Sequence, residues 1–319
     1  MKQASRWSGP AGKTALIIEK LFNRETFQKE AFAVTAKCRG EVKFKVIRAG
    51  DTAYLQAPLF TQSGLVDHAF STRLGGCSDG PLSSLNTAYH TGDREENVIR
   101  NRRRFFNLFN YDYRDLVSAV QVHGTDLDVV KLSRRGEGAL PGTARRECDA
   151  LVTTEPGLPL GAYSADCQLI YFISKQRPLA ALAHAGWKGT LGGIGPKVVS
   201  FLQDQYRVSP DQILAALSPA ICPDCYKVDE KTAGLFQSAG WNRTPYLEPA
   251  AAGSYKLDIG AINFAQLLAG GIKPENINRS RLCTSCRSDL FYSYRRDRGN
   301  TGRMIGFIAL KDQTGGRVL

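Results

Sequence analysis

The chain has 319 residues, 42 Lys and Arg against 30 Asp and Glu, 43% hydrophobic residues, eight Cys and four His. This excludes a disordered or low-complexity chain, and at about 150 residues per domain it allows one large domain or two small ones. No uncharged apolar run approaches the roughly 18 residues that cross a bilayer, and Ala15-Leu16-Ile17-Ile18 is too short for the apolar centre of a signal peptide; a reduced, cytoplasmic setting is expected, where cysteines serve metals or catalysis.

The positive charge is uneven. Residues 1–50 hold 11 Lys and Arg and 4 Asp and Glu, whereas the rest of the chain holds 31 and 26. Clustered cations can bind a phosphate backbone by counterion release, but charge runs are mostly solvent-facing. Residues 1–58 therefore read as a basic N-terminal extension, residues 59–319 as one main domain, and nucleic acid is not expected as a partner.

In chain order, residues 1–30 show no partner pattern, and Val42, Phe44 and Val46 alternate with Lys43 and Lys45 as a half-exposed strand. Asp93 followed by Glu96 predicts a capping box for a helix that buries Val98, Phe105, Phe106 and Phe109 and presents Arg100 to Arg104 as a basic face. Strand-like runs follow at 149–153, 160–163, 168–173 and 179–183. A helix is predicted over 197–206 on Val198, Val199 and Leu202, then a strand-like run at 213–221. A third helix starts at Asp258, buries Ile259, Ile262, Leu267 and Leu268 and stops at Gly270-Gly271, and a last strand-like run spans 304–310. No fixed period repeats, and no regular βαβ rhythm appears. The pattern predicts a mixed-sheet α/β or α+β domain.

Two motifs flank one predicted hairpin. Ser164-Ala165-Asp166-Cys167 and Ala183-His184-Ala185-Gly186-Trp187 border apolar runs separated by the polar turn Ser174-Lys175-Gln176-Arg177-Pro178. Facing residues of an antiparallel hairpin share a constant index sum; for Cys167 and His184 it is 351, which centres the turn between Lys175 and Gln176. That register sets the two Cβ atoms about 5 Å apart, close enough to share a metal, although short turns can slip. His123, in Gln121-Val122-His123-Gly124, is the third candidate. Two His and one Cys suit Zn²⁺ and leave a fourth position open for water or substrate. The spacing leaves two other readings: a small buried Cys with two hydrogen-bonded core histidines, or a metal-free pair in which His184 activates a Cys167 nucleophile.

Cys222-Pro223-Asp224-Cys225 and Cys283-Thr284-Ser285-Cys286 are two further C-x-x-C pairs. Two such pairs can build a structural Cys₄ zinc site, but at a far shorter usual gap; buried free thiols are the alternative. Cys38, Cys77 and Cys148 fit no pattern.

Taken together, Ser71-Thr72-Arg73-Leu74-Gly75-Gly76-Cys77-Ser78, Ser84-Leu85-Asn86, His90-Thr91-Gly92-Asp93, Gln121-Val122-His123-Gly124, Ala165-Asp166-Cys167, His184-Ala185-Gly186-Trp187-Lys188-Gly189, Cys283-Thr284, and Tyr294-Arg295-Arg296-Asp297 through Thr301-Gly302-Arg303 resemble the YfiH-like family. That family carries the older name multicopper polyphenol oxidase or laccase-domain protein and a later one, purine nucleoside phosphorylase. The motifs keep their order from about residue 60 to 310. Lys188 departs from the commoner Arg, Ser218-Pro219-Ala220-Ile221 from a Gly-Pro opening, and the first 58 residues have no family counterpart.

The resemblance implies a mixed α/β sandwich of the cysteine-hydrolase-like type, with zinc on His123, Cys167 and His184. It implies phosphorolysis of adenosine, inosine and methylthioadenosine with adenosine deamination alongside, so that purine nucleosides and phosphate are the partners. Arg73 and Lys188 are the cations expected to meet phosphate, Asp166 a proton-transfer group or a brace for the metal ligand, and Asn86 a substrate contact; Cys167 is the nucleophile if the site works without metal. The rival activity is a cysteine hydrolase or amidase acting on a cell-wall precursor, as in relatives described as peptidoglycan editing factors. The zinc deaminase motif of the cytidine type is absent, since no His has Glu two residues on. A multicopper oxidase is disfavoured because four histidines cannot furnish several copper centres, although copper can replace zinc at one site.

Overall fold

The runs at 168–173, 179–183 and 213–217 are apolar at nearly every position, and the computed structural model shows why: these strands are covered on both faces. It describes residues 44–143 and 146–312. Elements are numbered in chain order. The first sheet contains β1 (Lys45–Ala49), β2 (Thr52–Gln56), β3 (Val66–Ser71), β4 (Val117–Ser118), β7 (Leu160–Ser164) and β15 (Met304–Leu310), in the order β1-β2-β3-β15-β7-β4. The second contains β5 (Leu127–Val130), β6 (Ala150–Thr153), β8 (Gln168–Ser174), β9 (Ala180–Ala185), β10 (Ile213–Leu217) and β14 (Ile277–Arg279), in the order β14-β10-β8-β9-β6-β5. Both sheets are mixed: β4–β7, β5–β6 and β10–β14 are parallel and the other pairs antiparallel. A small third sheet joins β11 (Lys227–Val228), β12 (Leu247–Pro249) and β13 (Tyr255–Leu257).

Side-chain alternation distributes each strand between layers. In β8, Leu169, Tyr171 and Ile173 point into a core shared with Leu55, Phe70, Leu160 and Ile308 of the first sheet. Ile170 and Phe172 point the other way, onto helices α4 (Ile194–Tyr206) and α6 (Ile259–Ala269) through Val198, Leu202, Phe264 and Leu267. Ile305 and Phe307 of β15 pack outward on Phe105 and Phe106 of α2 (Glu95–Asn107). The result is a helix–sheet–sheet–helix sandwich, the expected α/β class with mixed sheets. The remaining α-helices among the described residues are α1 (Pro58–Ser63), α3 (Trp187–Leu191) and α5 (Glu230–Ser238).

Several sequence expectations shift in detail. The alternation at 42–46 marks the approach to β1, which starts at Lys45; Val42, Cys38 and the basic segment before it lie outside the described residues. Residues 45–56 form a hairpin that joins the first sheet through β2 and β3, and Phe44, Leu55 and Ala57 enter the core. The first sheet thus begins ahead of residue 59. Lys45 and Arg48 give this stretch the look of a solvated extension because β1 is an edge strand, where charges guard against further pairing.

Helix α2 is capped by Arg94 rather than by Asp93. The Asp93 carboxylate instead accepts from Ser78 Oγ at 2.6 Å, Asn86 Nδ2 at 2.9 Å and Asn97 Nδ2 at 3.2 Å, tying loops together. Nor does 100–104 form one basic face. Arg102 is buried, with its guanidinium 4.3 Å from the Tyr89 ring centre and donating to Thr87 O at 2.8 Å and to the Tyr163 hydroxyl. Helix α4 begins at Ile194, ahead of the expected 197, because Pro196 is tolerated in a first turn, where its missing N–H has no partner to lose. Helix α6 starts as expected, with Asp258 accepting from the N–H of Ala261 at 2.7 Å.

His68 on β3 is a core residue. Its Nε2 accepts from the N–H of Ala57 at 2.8 Å, and burial, followed by the repulsion of Lys311, holds its pKa down at about 3. The unfolded imidazole protonates near 6.5, so the neutral folded form contributes fully above that pH and its contribution is lost as pH falls toward 3. His68→Leu is expected to flatten the fall of unfolding free energy between pH 6 and 4 by up to about 1.4 kcal/mol per pH unit, measured by urea unfolding.

Candidate active site

The predicted hairpin forms as β8 and β9, but Leu169 rather than Cys167 faces His184, giving an index sum of 353. The turn is centred between Gln176 and Arg177, one residue later than expected, because Pro178 cannot donate to the ladder and stays in the turn. A shift of two in the sum keeps side-chain parity. Cys167, just ahead of β8, stays on the His184 face as its diagonal neighbour, within reach.

His123 arrives from the loop after β4, at a backbone φ of 60°. The ligand atoms of His123, Cys167 and His184 lie within 4.8 Å of one another, with His123 exposed, Cys167 half-buried and His184 buried. The two imidazole rings meet edge to face, 4.9 Å apart at 82°. The cluster therefore opens to solvent on the His123 side and is rooted in the sheet on the His184 side.

Two residues that spacing did not mark hold this arrangement. Gln121 pairs like a strand residue with β7: its Nε2 donates to Tyr163 O at 2.8 Å and its Oε1 accepts from Tyr163 N at 2.7 Å. Asp149, immediately before β6 and fully buried at its side chain, is the other. Its Oδ1 accepts from His184 Nδ1 at 2.8 Å and His123 N at 3.0 Å; its Oδ2 accepts from Gly124 N at 2.7 Å and Val122 N at 3.2 Å. One carboxylate thus fixes the His123 loop and leaves Nε2 of His184 to face the cluster, the usual outer partner of a metal-bound imidazole. The sequence signal was a lone carboxylate opening the apolar run at 149–153.

Without a metal, these groups form an ion pair. Burial opposes both charges, but the attraction of Cys167 for His184 and the Asp149 bond raise the imidazole pKa to about 9. Against the same burial penalty, the attraction of His184 and hydrogen bonds from His123 and His184 lower the Cys167 thiol to about 6. A thiolate at neutral pH is the form that ligates metals.

Around Cys167 stand Asp166, Tyr226 and Arg303. Asp166 sits at φ 97°; its Oδ1 accepts from Thr284 Oγ1 at 2.6 Å and its Oδ2 from the N–H of Arg295 at 2.7 Å. Burial pushes the Tyr226 phenol up to about 12, and the nearby Cys167 and Asp166 add to this. Burial lowers the Arg303 pKa, opposed by Tyr294, Cys167 and Asp166, which places its guanidinium in the field of the cluster. Its Nη1 donates to Thr301 O and Gly302 O, and no hydrogen bond to another described residue engages its Nε or Nη2.

The other expected contacts are placed differently. Asn86 is fully buried; Nδ2 donates to Ala88 O, Thr91 Oγ1 and Asp93, and Oδ1 accepts from Ala88 N and Arg303 N. It braces the backbone of Arg303, and its side-chain oxygen and nitrogen are both bonded within the protein. Arg73 donates from Nε to Ser83 O at 2.8 Å and from Nη1 to Ser288 O at 3.3 Å and lies over the Tyr292 ring, with no hydrogen bond from Nη2 to another described residue. Lys188, in α3, is exposed, with its ammonium 5.6 Å from the Trp187 ring centre.

The chain is 40% identical over 245 residues to "Purine nucleoside phosphorylase YlmD" of Geobacillus stearothermophilus, covering 76% of this chain and 89% of that protein. It is 34% identical over 252 residues to "Adenosine deaminase RL5" of an unknown prokaryotic organism, covering 76% and 94%. The crystal structure of YlmD from Geobacillus stearothermophilus superposes with a TM-score of 0.79 at 37% identity, over 84% of this chain and 100% of that one. Residues 67–311 match the family described as multi-copper polyphenol oxidoreductase laccase, and the chain belongs to this family, an enzyme family that includes the YlmD and YfiH proteins.

Proposed function

We propose that the chain is a zinc-dependent purine nucleoside phosphorylase acting on adenosine, inosine and methylthioadenosine, with adenosine deaminase activity at the same site. The observation that carries this reading is the convergence of His123, Cys167 and His184 within 4.8 Å, with Asp149 behind them. Relatives named purine nucleoside phosphorylase and adenosine deaminase support it. The donor set fits zinc: one thiolate and two imidazoles make a tetrahedral site with one position left open. When bound, zinc supplies Lewis-acid activation at that position, which a closed site would lack.

The chain's own groups do the rest. Asp149 keeps the proton of His184 on Nδ1, so that Nε2 is the free donor. Asp166 positions the Arg295 loop beside Cys167. Arg303, with Nε and Nη2 uncommitted among the described residues, joins Arg73 and Lys188 as a cation proposed to receive phosphate. Val122 and Tyr294, 47% and 56% exposed, offer apolar surface next to His123 and Arg303 for a purine ring. In phosphorolysis the N-glycosidic bond breaks and a C1′–O bond to phosphate forms; in deamination water replaces the C6 amine and ammonia leaves.

Arg303→Ala is expected to raise KM for phosphate about tenfold, the loss of one charge-assisted contact, with a smaller effect on deamination. Initial rates against phosphate concentration check this; equal effects on both reactions would remove Arg303 from phosphate binding.

The thiolate–imidazolium pair favours one alternative, a metal-free cysteine hydrolase acting on an amide of a cell-wall precursor. Chelation followed by zinc addition separates the readings. Phosphorylase and deaminase activities should disappear and return with zinc; an activity that persists in the chelated protein and is abolished by alkylating Cys167 would support the hydrolase. Copper can occupy the same three ligands. A multicopper centre needs further imidazoles, and among the described residues only His123 and His184 join Cys167 in the cluster.

A further inference from the structure

The two C-x-x-C pairs meet. Cys222 and Cys225 follow β10, and Cys283 and Cys286 follow β14, its parallel neighbour in the second sheet. A bridge between Ala220 and Cys283 continues that pairing past the strand ends. Parallel strands deliver both turns to the same end of the sheet, so the long intervening segment, residues 226–282, costs no distance. The four Sγ atoms lie within 4.8 Å of one another.

Their spacing fits a tetrahedral ligand set. Cys225 Sγ and Cys222 Sγ are 3.4 Å and 3.9 Å from Cys286 Sγ, much too far for disulfides. A tetrahedron with Zn–S bonds of about 2.3 Å has S···S edges of about 3.8 Å. The N–H groups of Cys222 and Cys286 both donate to Cys283 Sγ, at 3.3 Å and 3.4 Å, each from the partner pair or the same turn, as expected around a thiolate. Four thiolates around a divalent ion leave a double negative charge. The turns themselves are braced from outside: Arg296 Nη1 donates to Thr284 O and Ser285 O, and Lys256 Nζ lies 2.5 Å from Asp224 Oδ1. Neither pair opens a helix, so the arrangement lacks the feature that tunes thioredoxin-like dithiols.

We propose that Cys222, Cys225, Cys283 and Cys286 bind a second Zn²⁺ in a closed, structural site. Its effect on the enzyme is positional. Thr284, between two of the ligands, donates to Asp166 Oδ1, and Ile221, next to Cys222, donates from its N–H to Asp166 O at 3.0 Å. Tyr226 follows Cys225. The ion clamps together the two turns that hold Asp166 and Tyr226 beside Cys167, and with four thiolates it leaves no position for substrate.

The test uses the full chain carrying His123→Ala, Cys167→Ala and His184→Ala together, so that its outcome is independent of the first site. Zinc is counted by plasma mass spectrometry after dialysis against a weak chelator. One zinc per chain is expected, falling to none when Cys222→Ser and Cys286→Ser are added. Absence of zinc from the triple variant, or iron in its place, overturns the proposal. A measurement on the unaltered protein guards against a misfolded variant: these four thiols should resist a thiol reagent until a strong chelator is added. Free reaction of all four before chelation also overturns it.

Discussion

Asp149→Asn is expected to weaken zinc binding by about 10–100-fold and to lower folding stability by about 3 kcal/mol. The substitution is nearly isosteric, so the loss is one of charge and acceptor count. Two carboxylate oxygens accept four N–H groups, three from the backbone at 122–124 and one from His184. An amide keeps one acceptor oxygen and turns an NH₂ against the remaining N–H donors, which leaves buried donors unpaired. If the NH₂ faces His184, the ring can accept at Nδ1, carries its proton on Nε2, and presents the wrong atom to the metal. Competition with a chromophoric chelator measures the first effect and urea unfolding the second. Wild-type zinc affinity in this variant would show that Asp149 does not orient His184.

Gly186→Ala should abolish most activity while sparing the fold. Gly186 has φ −70° and ψ 177°, which any L-residue adopts, so the requirement is for space alone. A Cβ there would stand 2.9 Å from His123 Cδ2 and 3.0 Å from Cys167 Sγ, with His184 Cε1 at 3.6 Å. His123 and Cys167 would have to give way while His184 stays at an ordinary contact distance, and displacements of about 1 Å at a reacting centre cost on the order of 10²-fold in rate. Overpacking at one position costs about 1–3 kcal/mol, so thermal unfolding should shift by only a few degrees. Undiminished kcat/KM in this variant would place the chemistry elsewhere.

The sandwich was legible because strands buried on both faces are written as unbroken apolar runs, and β8, β9 and β15 fall where those runs lie. The pairing of Cys167 with His184 was legible from a symmetry argument whose register was off by one residue at the turn, yet parity kept both side chains on one face. Asp149 was not, since a carboxylate acquires that role only when β5 and β6 pair in parallel and bring residues 122–124 over it. Arg102 and Asn86 show the opposite failure. A run of arginines and a motif asparagine look like surface or substrate contacts in one dimension, whereas burial turns their donors onto nearby loop carbonyls and side-chain oxygens. The Cys₄ cluster was recognisable as two pairs, and only the parallel β10–β14 neighbourhood closes the gap between them.

Adenosine incubated with zinc-loaded protein, with and without phosphate, tests the functional reading most directly. Adenine and ribose 1-phosphate should form in equal amounts only when phosphate is present, inosine should appear alongside, and both reactions should vanish in Cys167→Ala. Fully metallated protein that yields neither adenine nor inosine, or yields them equally well after Cys167→Ala, would contradict it.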